Sequence, residues 1–334
     1  MRIFLAGATG ALGRRLVPAL RAAGHEVTGT TRSSDKADQL RAAGAEPVVL
    51  DPLDRAAVAA AVAAAKPAVV MHQLTALAKL STNFRRFDQN FATTNLLRTN
   101  GLDYLLEAAV AAGARRFIAQ SYAGWPTERT GGPVKSEQDP LDPHPAAGSR
   151  ESHAAIRHLE AAVTGAEGIE GVVLRYGGFY GPGTGLERGG PMLEVVQKRK
   201  LPVVGGGTGV WSLIHIDDAA AATVAAVAHG APGIYNITDD EPVRVSQMLA
   251  ALAEAAGAKP PRRVPGWLVR PMLGEHGMSM MTSVRGASNA KAKRELAWQP
   301  IWPSWRDGFR NGLDTPVPLP PRGTDANLEA GSAA

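Results

Sequence analysis

The sequence predicts an α/β fold, a doubly wound parallel sheet with a smaller lobe toward the C-terminus. Three observations predict it. Through the first half of the chain, short apolar runs of strand length alternate with alanine- and leucine-rich segments of helical period. A glycine-rich turn joins the first of these runs to the first helical segment with no spacer. The second half loses the rhythm to Gly/Pro-rich stretches and short mixed elements, as in a discontinuous second lobe.

The first strand is Arg2-Ile-Phe-Leu-Ala6, and it enters Gly7-Ala-Thr-Gly10-Ala-Leu-Gly13 directly. Leu12, Leu16, Ala19, Leu20 and Ala23 then recur at helical spacing, with Gly24 placed to end the helix. Pro18 lies inside that helix and predicts a bend or a shortened first segment. Val27 to Thr31 completes a βαβ unit of about thirty residues. Gly7 permits the tight turn, Gly10 leaves room for a pyrophosphate, and Gly13 lets helix and strand lie close. The helix N-terminus offers N–H groups and positive potential to phosphates, so the unit predicts a Rossmann-like dinucleotide site.

The end of the second strand discriminates between cofactors. It reads Thr30-Thr31-Arg32-Ser33, with no carboxylate before Asp35 to take the ribose hydroxyls of NAD. Arg32 is placed to meet a 2′-phosphate and Arg14 to assist it, which favours NADP(H) over NAD. The third strand, Pro47 to Leu50, is followed by Asp51-Pro-Leu-Asp54, where an Asp can accept from the adenine amino group or cap the Arg55–Ala65 helix. The fourth, Ala68 to Met71, ends at His72-Gln-Leu-Thr75. Expected cofactor contacts are therefore Gly7, Thr9, Gly10, Ala11, Leu12 and Gly13 of the turn, with Arg14 and Arg32. Asp51, Pro52 and Leu53 follow the third strand, and Gln73 and Leu74 the fourth.

From Ala78 to Leu97 a less regular loop and helix are rich in Asn and Arg. A clear amphipathic helix then runs from Gly101 to Ala112, and a fifth strand from Arg116 to Gln120. Ser121 and Tyr122 stand at its carboxyl end, the edge at which open α/β sheets bind ligands. Thr127 to Gly148 reads as a long loop, Ser149 to Thr164 as a helix and Gly171 to Arg175 as a sixth strand. Beyond the Gly/Pro-rich Gly177–Pro191 stretch, helices are expected over 192–198, 218–228, 245–256 and 288–296, with strands over 213–216 and 233–237. Residues 1–176, with a return near 210–230, form the expected dinucleotide-binding domain. Residues 177–314 form the substrate lobe, and 315–334 a flexible tail.

Composition narrows the function. The 334-residue chain is 45% hydrophobic and has no cysteine, which excludes disulfides and thiol nucleophiles and makes the cytoplasm the simplest location. No apolar run approaches a membrane span. The net charge of +5 is spread along the chain without a basic run, so neither nucleic acid nor membrane is an expected partner. No His/carboxylate set has metal-ligand spacing, and there is no Gly-x-Ser-x-Gly elbow.

With these elements in place, the chain resembles the extended short-chain dehydrogenase/reductases, also called the NAD-dependent epimerase/dehydratase family. The resemblance rests on the glycine turn, Asp51-Pro-Leu-Asp54, Leu102-Asp-Tyr-Leu-Leu-Glu-Ala-Ala109 and Leu174-Arg175 with Tyr180-Gly-Pro182. His215-Ile-Asp-Asp218, Tyr235-Asn236 and Glu295-Leu-Ala-Trp298 follow in the family's order. It implies a parallel sheet of about seven strands around the cofactor, substrate held between sheet and lobe, and a possible homodimer. It also implies that Ser121 matches the family's active-site Ser/Thr and that His215 belongs to a structural turn in which Asp217 or Asp218 caps the next helix.

The departures bear on the chemistry. Redox members of the family use a Tyr with a Lys four residues on. Counted back from Glu160, those positions hold Ser152 and Ile156, and no Tyr or Lys lies between Ser136 and Glu170. Tyr122 and His153 are the candidate proton donors in their place, with Tyr176 and Tyr180 behind them. Nucleotide-sugar members have an Asn and an Arg where this chain has Gly178 and Trp211, so a small, largely apolar carbonyl or hydroxyl compound is the expected substrate. Trp125, Trp211, Phe179 and the Met278–Met281 cluster are candidates to line its pocket. The expected activity is an atypical NADP(H)-dependent oxidoreductase or epimerase/dehydratase-like enzyme. The alternatives are a non-redox lyase, isomerase or cyclase, and a catalytically silent NADP-binding sensor or scaffold.

Overall fold

In the computed structural model, which describes residues 1–77 and 84–314, seven parallel strands form the central sheet. They are β1 (Arg2–Ala6), β2 (Glu26–Thr31), β3 (Glu46–Val49), β4 (Val69–His72), β5 (Arg116–Tyr122), β6 (Glu170–Tyr176) and β7 (Gly233–Ile237). Their order in space is β7-β6-β5-β4-β1-β2-β3. The order reverses at β1, whose neighbours are β2 on one side and β4 on the other. A crevice at the carboxyl ends of β1 and β4 is the position such sheets give to ligands.

The pleat of β1 explains the two layers. Ile3 and Leu5 point into one apolar cluster with Leu16 and Leu20 of α1 (Gly13–Ala22) and Leu12 just before it. Phe4 and Ala6 point into the other, with Val58 and Val62 of α3 (Arg55–Ala65). A short helix, α2 (Ala37–Ala42), crosses between β2 and β3. Helices α4 (Phe87–Arg98), α5 (Asn100–Ala111) and α6 (Arg150–Thr164) complete the chain up to β6. Pro18 does not divide α1, which is one uninterrupted helix.

A third apolar cluster belongs to the second half. It gathers Leu193 and Val196 of α7 (Pro191–Gln197), Met248, Leu249 and Leu252 of α9 (Val245–Ala255), and Trp305 and Phe309. Between α7 and α9 in sequence, α8 (Ile216–Ala225) returns to the sheet and packs against α1 in the first cluster. The Pro- and Met-rich segment forms α10 (Gly266–Thr282), kinked at Gly274 (φ 68°, ψ −177°). Helices α11 (Ala290–Glu295) and α12 (Trp305–Asn311) follow. Of the loop and helix expected from Ala78 to Leu97, residues 78–83 lie outside the described residues, as does the tail from Thr315. No helix among the described residues is long and apolar enough to cross a membrane.

Candidate active site

The glycine turn is built as its sequence requires. Gly7 has φ +94°, and a Cβ there would stand 2.5 Å from the Gln73 carbonyl oxygen. A Cβ on Gly13 would stand 2.3 Å from the Gly7 oxygen, so these two glycines let the turn pack on β4 and on itself. Gly10 is different: it is exposed, and a Cβ would meet only the Gly7 oxygen, at 3.3 Å. That leaves it open to an incoming ligand beside the N-terminal end of α1. Thr30 on β2 fixes the turn from the other side, accepting from the Gly7 N–H at 3.1 Å.

The flanking residues divide. Arg32 is exposed just past β2. Arg14 turns the other way, its Nη2 3.4 Å from the Gly183 carbonyl oxygen. After β3, Asp51 accepts from the Leu53 N–H at 3.0 Å and Asp54 caps α3 by accepting from the Ala57 N–H. Of the two Asp roles considered for this loop, the helix cap falls to Asp54. Gln73 lies against the end of β1, its N–H donating to the Ala6 carbonyl.

Below the carboxyl ends of β5 and β6 is a buried ionic network. Arg175 donates to Glu160 through Nε (2.7 Å) and Nη2 (2.5 Å), and Ser121 donates to the same carboxylate at 2.7 Å. Ser121, expected to orient a substrate carbonyl, here gives its one hydroxyl hydrogen to Glu160. His153 also has a structural tie, with Nε2 2.9 Å from the Pro126 carbonyl oxygen, and burial lowers its pKa from the usual histidine range. Its imidazole is therefore neutral at pH 7, and the proton it could lend is held by a backbone oxygen. Tyr122 lies beside this network, its hydroxyl pKa pushed up to about 12 by burial against the opposing pull of Arg98. Tyr176 is bonded to Thr223 at 2.7 Å, and Tyr180 packs edge-on to His215 and Phe309 inside the lobe.

Ser152 and Ile156, the positions counted back from Glu160, are firmly held. Ser152 donates its hydroxyl to Asp88 at 2.7 Å and accepts from Asn95 at 3.1 Å, and Ile156 is fully buried. At the start of α8, His215 itself caps the helix by accepting from the Asp217 N–H at 3.2 Å. The expected Asp cap is thereby replaced: Asp217 pairs with Arg15, and Asp218 accepts from the N–H groups of Ile301 and Trp302.

Of the residues proposed to line a pocket, Trp125 joins an aromatic cluster that sequence reasoning missed. It contacts Phe87, Tyr122, His153 and His276, with Phe91 stacked on Phe87 at 4.2 Å. Trp211 instead donates to the Met280 carbonyl within the lobe, and Met281 is core. Arg98, at the end of α4, was also missed. It is 4% exposed, and burial brings its pKa down to about 10.

Among the described residues, four buried polar atoms here have no hydrogen-bond partner: His72 Nδ1, Gln73 Oε1, Asn95 Oδ1 and Arg98 Nη1. Native interiors seldom leave such groups unpaired, and their grouping around the end of β4 and the last turns of α4 marks a ligand position. Together with the open Gly10 and the tip of α1, the residues present fit a bound dinucleotide.

The family model described as "NAD dependent epimerase/dehydratase family" matches residues 3–238. The chain belongs to the NAD-dependent epimerase/dehydratase family. A Streptomyces protein named 3-diazoavenalumate denitrifying reductase is 46% identical over 314 residues, covering 92% of this chain and 99% of that one. A 4-hydroxy-2-methyl-3-oxo-4-farnesyl-3,4-dihydroquinoline-1-oxide ketoreductase from Stigmatella aurantiaca is 28% identical, covering 78% and 74%. Among solved structures, the Thermus thermophilus UDP-glucose 4-epimerase in complex with NAD superposes with a TM-score of 0.69 at 25% identity, over 94% and 98% of the two chains. The chain is thus an enzyme of the oxidoreductase kind on the epimerase/dehydratase fold, served by a nicotinamide cofactor.

Proposed function

We propose that this chain is an NADP(H)-dependent reductase of a small aromatic compound, and that the group it removes is a diazo group, released as dinitrogen. The observation that carries the reading is the filling of the proton-donor positions by a locked Ser152 and an apolar Ile156. Reducing a carbonyl to an alcohol requires a proton on the new oxyanion, and a site lacking the Tyr/Lys pair supplies it poorly. Replacing a diazonium group by hydrogen consumes only a hydride equivalent, which is what a reduced nicotinamide supplies when bound. The C–N bond breaks, dinitrogen leaves, and no oxygen awaits protonation. The Streptomyces relative's name points to the same chemistry.

The chain's residues have defined tasks in this reading. Gly10 and the first turn of α1 would hold the pyrophosphate, Arg32 the 2′-phosphate, and Gln73 and His72 the nicotinamide end. Phe87, Trp125 and Tyr122 would hold the flat substrate and exclude water from it. Gly178 and Trp211 stand where nucleotide-sugar members carry diphosphate ligands, which weighs against a sugar nucleotide.

The test is to supply NADPH and an isotopically labelled arenediazonium salt and measure labelled dinitrogen, the reduced arene and NADPH consumption together. Equal yields of the three, above a heat-inactivated control, are expected. A second reading, ketone reduction with Tyr122 as proton donor, is favoured by the place of Tyr122 at the end of β5 and by the ketoreductase relative. Turnover of cyclic ketones with an inert diazonium would select it. For the cofactor, Arg32→Ala is expected to lower kcat/KM for NADPH by roughly 10- to 100-fold, the worth of one charge-assisted contact, and to leave NADH unchanged. Equal losses with both cofactors would remove the basis for preferring NADP(H).

A further inference from the structure

We infer that Arg98 holds an anionic oxygen of the substrate, a carboxylate or ring oxyanion, and so sets a preference for anionic arenes. The inference rests on the reading of this edge as a small-molecule site and adds the charge of the molecule bound there.

The charge inventory below β4, β5 and β6 does not balance. Arg98 and Arg175 are buried cations, and Glu160 is the buried anion beside them. Both Glu160 oxygens are taken by Arg175, and one also by Ser121. Among the described residues Arg98 makes no ion pair, and its Nη1 has no hydrogen-bond partner. Its other neighbours cannot neutralise it. His72, with Nε2 on the Leu97 carbonyl at 2.9 Å, is held neutral by burial, and the Tyr122 hydroxyl stays protonated. Asp88 lies about three turns earlier on α4, some 15 Å along the axis, and serves the first turn of α6. A desolvated guanidinium without an anion is costly, and an arriving oxyanion recovers that cost through a charge-assisted bond.

The position suits a substrate contact. Asn95, one turn before Arg98, bonds Ser152 on α6, and Glu160 lies two turns beyond Ser152. Arg98 lies within electrostatic reach of Tyr122 and Glu160, and so brings from α4 a positive charge to the carboxyl end of β5. If the arene carries its negative charge on a conjugated oxygen, hydride delivery leaves the full charge on that oxygen as dinitrogen departs. The overall change is ⁻O–Ar–N₂⁺ plus hydride giving ⁻O–Ar–H plus dinitrogen, balanced in atoms and charge, and Arg98 faces the charge as it grows.

The test uses the full chain saturated with NADP⁺ and probes that contain no diazo group. Affinities are measured by calorimetry for para-nitrobenzoate, para-nitrophenolate and nitrobenzene. Either anion is expected to bind about thirty-fold more tightly than nitrobenzene, as one buried charged hydrogen bond implies. Preference for the benzoate identifies a carboxylate, and preference for the phenolate a ring oxyanion. Arg98→Gln should abolish the preference while keeping nitrobenzene and NADP⁺ affinities, and Arg98→Lys should keep part of it. A wild-type protein with no preference for either anion overturns the inference, even if Arg98→Gln fails to fold. So does an Arg98→Gln protein that loses NADP⁺ but keeps its preference. Failure of the diazo reading leaves the preference intact, whereas failure here leaves dinitrogen release intact, so the two are separable.

Discussion

The hydroxyl of Tyr122 stands where a side chain at position 178 would begin to crowd it. A Cβ on Gly178 would lie 3.7 Å from that hydroxyl and 3.2 Å from the Leu213 Cδ2 atom. A glycine at this position therefore leaves room for the tyrosine. Gly178→Asn is expected to destabilise the protein by about 1–3 kcal/mol through overpacking. Tyr122→Ala should recover much of that loss, giving a coupling of about 1 kcal/mol in a double-mutant cycle followed by urea unfolding. Strict additivity would mean that the two positions do not share space. Gly178 was legible in the sequence as a departure from a motif. Arg98 was not, because in a stretch rich in Asn and Arg it reads as one more exposed charge. Its meaning depends on Arg175 having already claimed Glu160, and no local pattern carries that fact.

Elements were legible where one local cause makes them. The β1, glycine turn and α1 unit is specified by its own residues, and the predicted first strand has the observed bounds. Helix α6 announces itself through Ser152, Ile156, Leu159, Glu160 and Val163 on one face. Helix α10 was missed because Pro271, Gly274 and Gly277 read as breakers. It holds as two pieces with opposite fates. Before the kink, Trp267, Leu268 and Met272 are exposed, and after it His276, Met280 and Met281 are buried. The kink turns His276 onto Phe87, with ring centroids 4.0 Å apart, and onto Trp125 at 5.3 Å. Gly274 alone absorbs it, at a φ of 68° that a side chain disfavours. Gly274→Ala should cost about 1–2 kcal/mol of stability and loosen this contact. The expected readout is an altered Trp fluorescence and a raised KM for the aromatic substrate proposed above, with cofactor affinity unchanged. An unaltered KM would show that α10 does not shape the substrate side.

Across the whole molecule, the carboxyl edge of the sheet is fastened to the last segments of the chain through buried acids. Asp218 accepts from the Ile301 N–H at 2.7 Å and the Trp302 N–H at 2.9 Å, and burial still raises its pKa to about 6. Asp239, just beyond β7, is raised further, to about 8, again chiefly by burial. A carboxyl whose folded pKa exceeds its unfolded value near 3.8 gives stability that is complete at low pH and is lost as pH rises toward the folded pKa. The buried His72 and His276, both lowered to about 4, act in the opposite sense, so their contribution grows from pH 4 to the histidine range and is then complete. Below pH 6.5 these opposing slopes offset one another. Between pH 6.5 and 8 only Asp239 still titrates among these four groups, and over about 1.5 pH units it should remove about 2 kcal/mol. Stability is therefore expected to peak near pH 6–7 and decline toward pH 8. Asp239→Asn should flatten that decline and, because the two histidines are then opposed by Asp218 alone, make stability rise between about pH 4 and 6.5, as measured by urea unfolding at a series of pH values. A decline of the same slope in Asp239→Asn would place its origin elsewhere in the molecule.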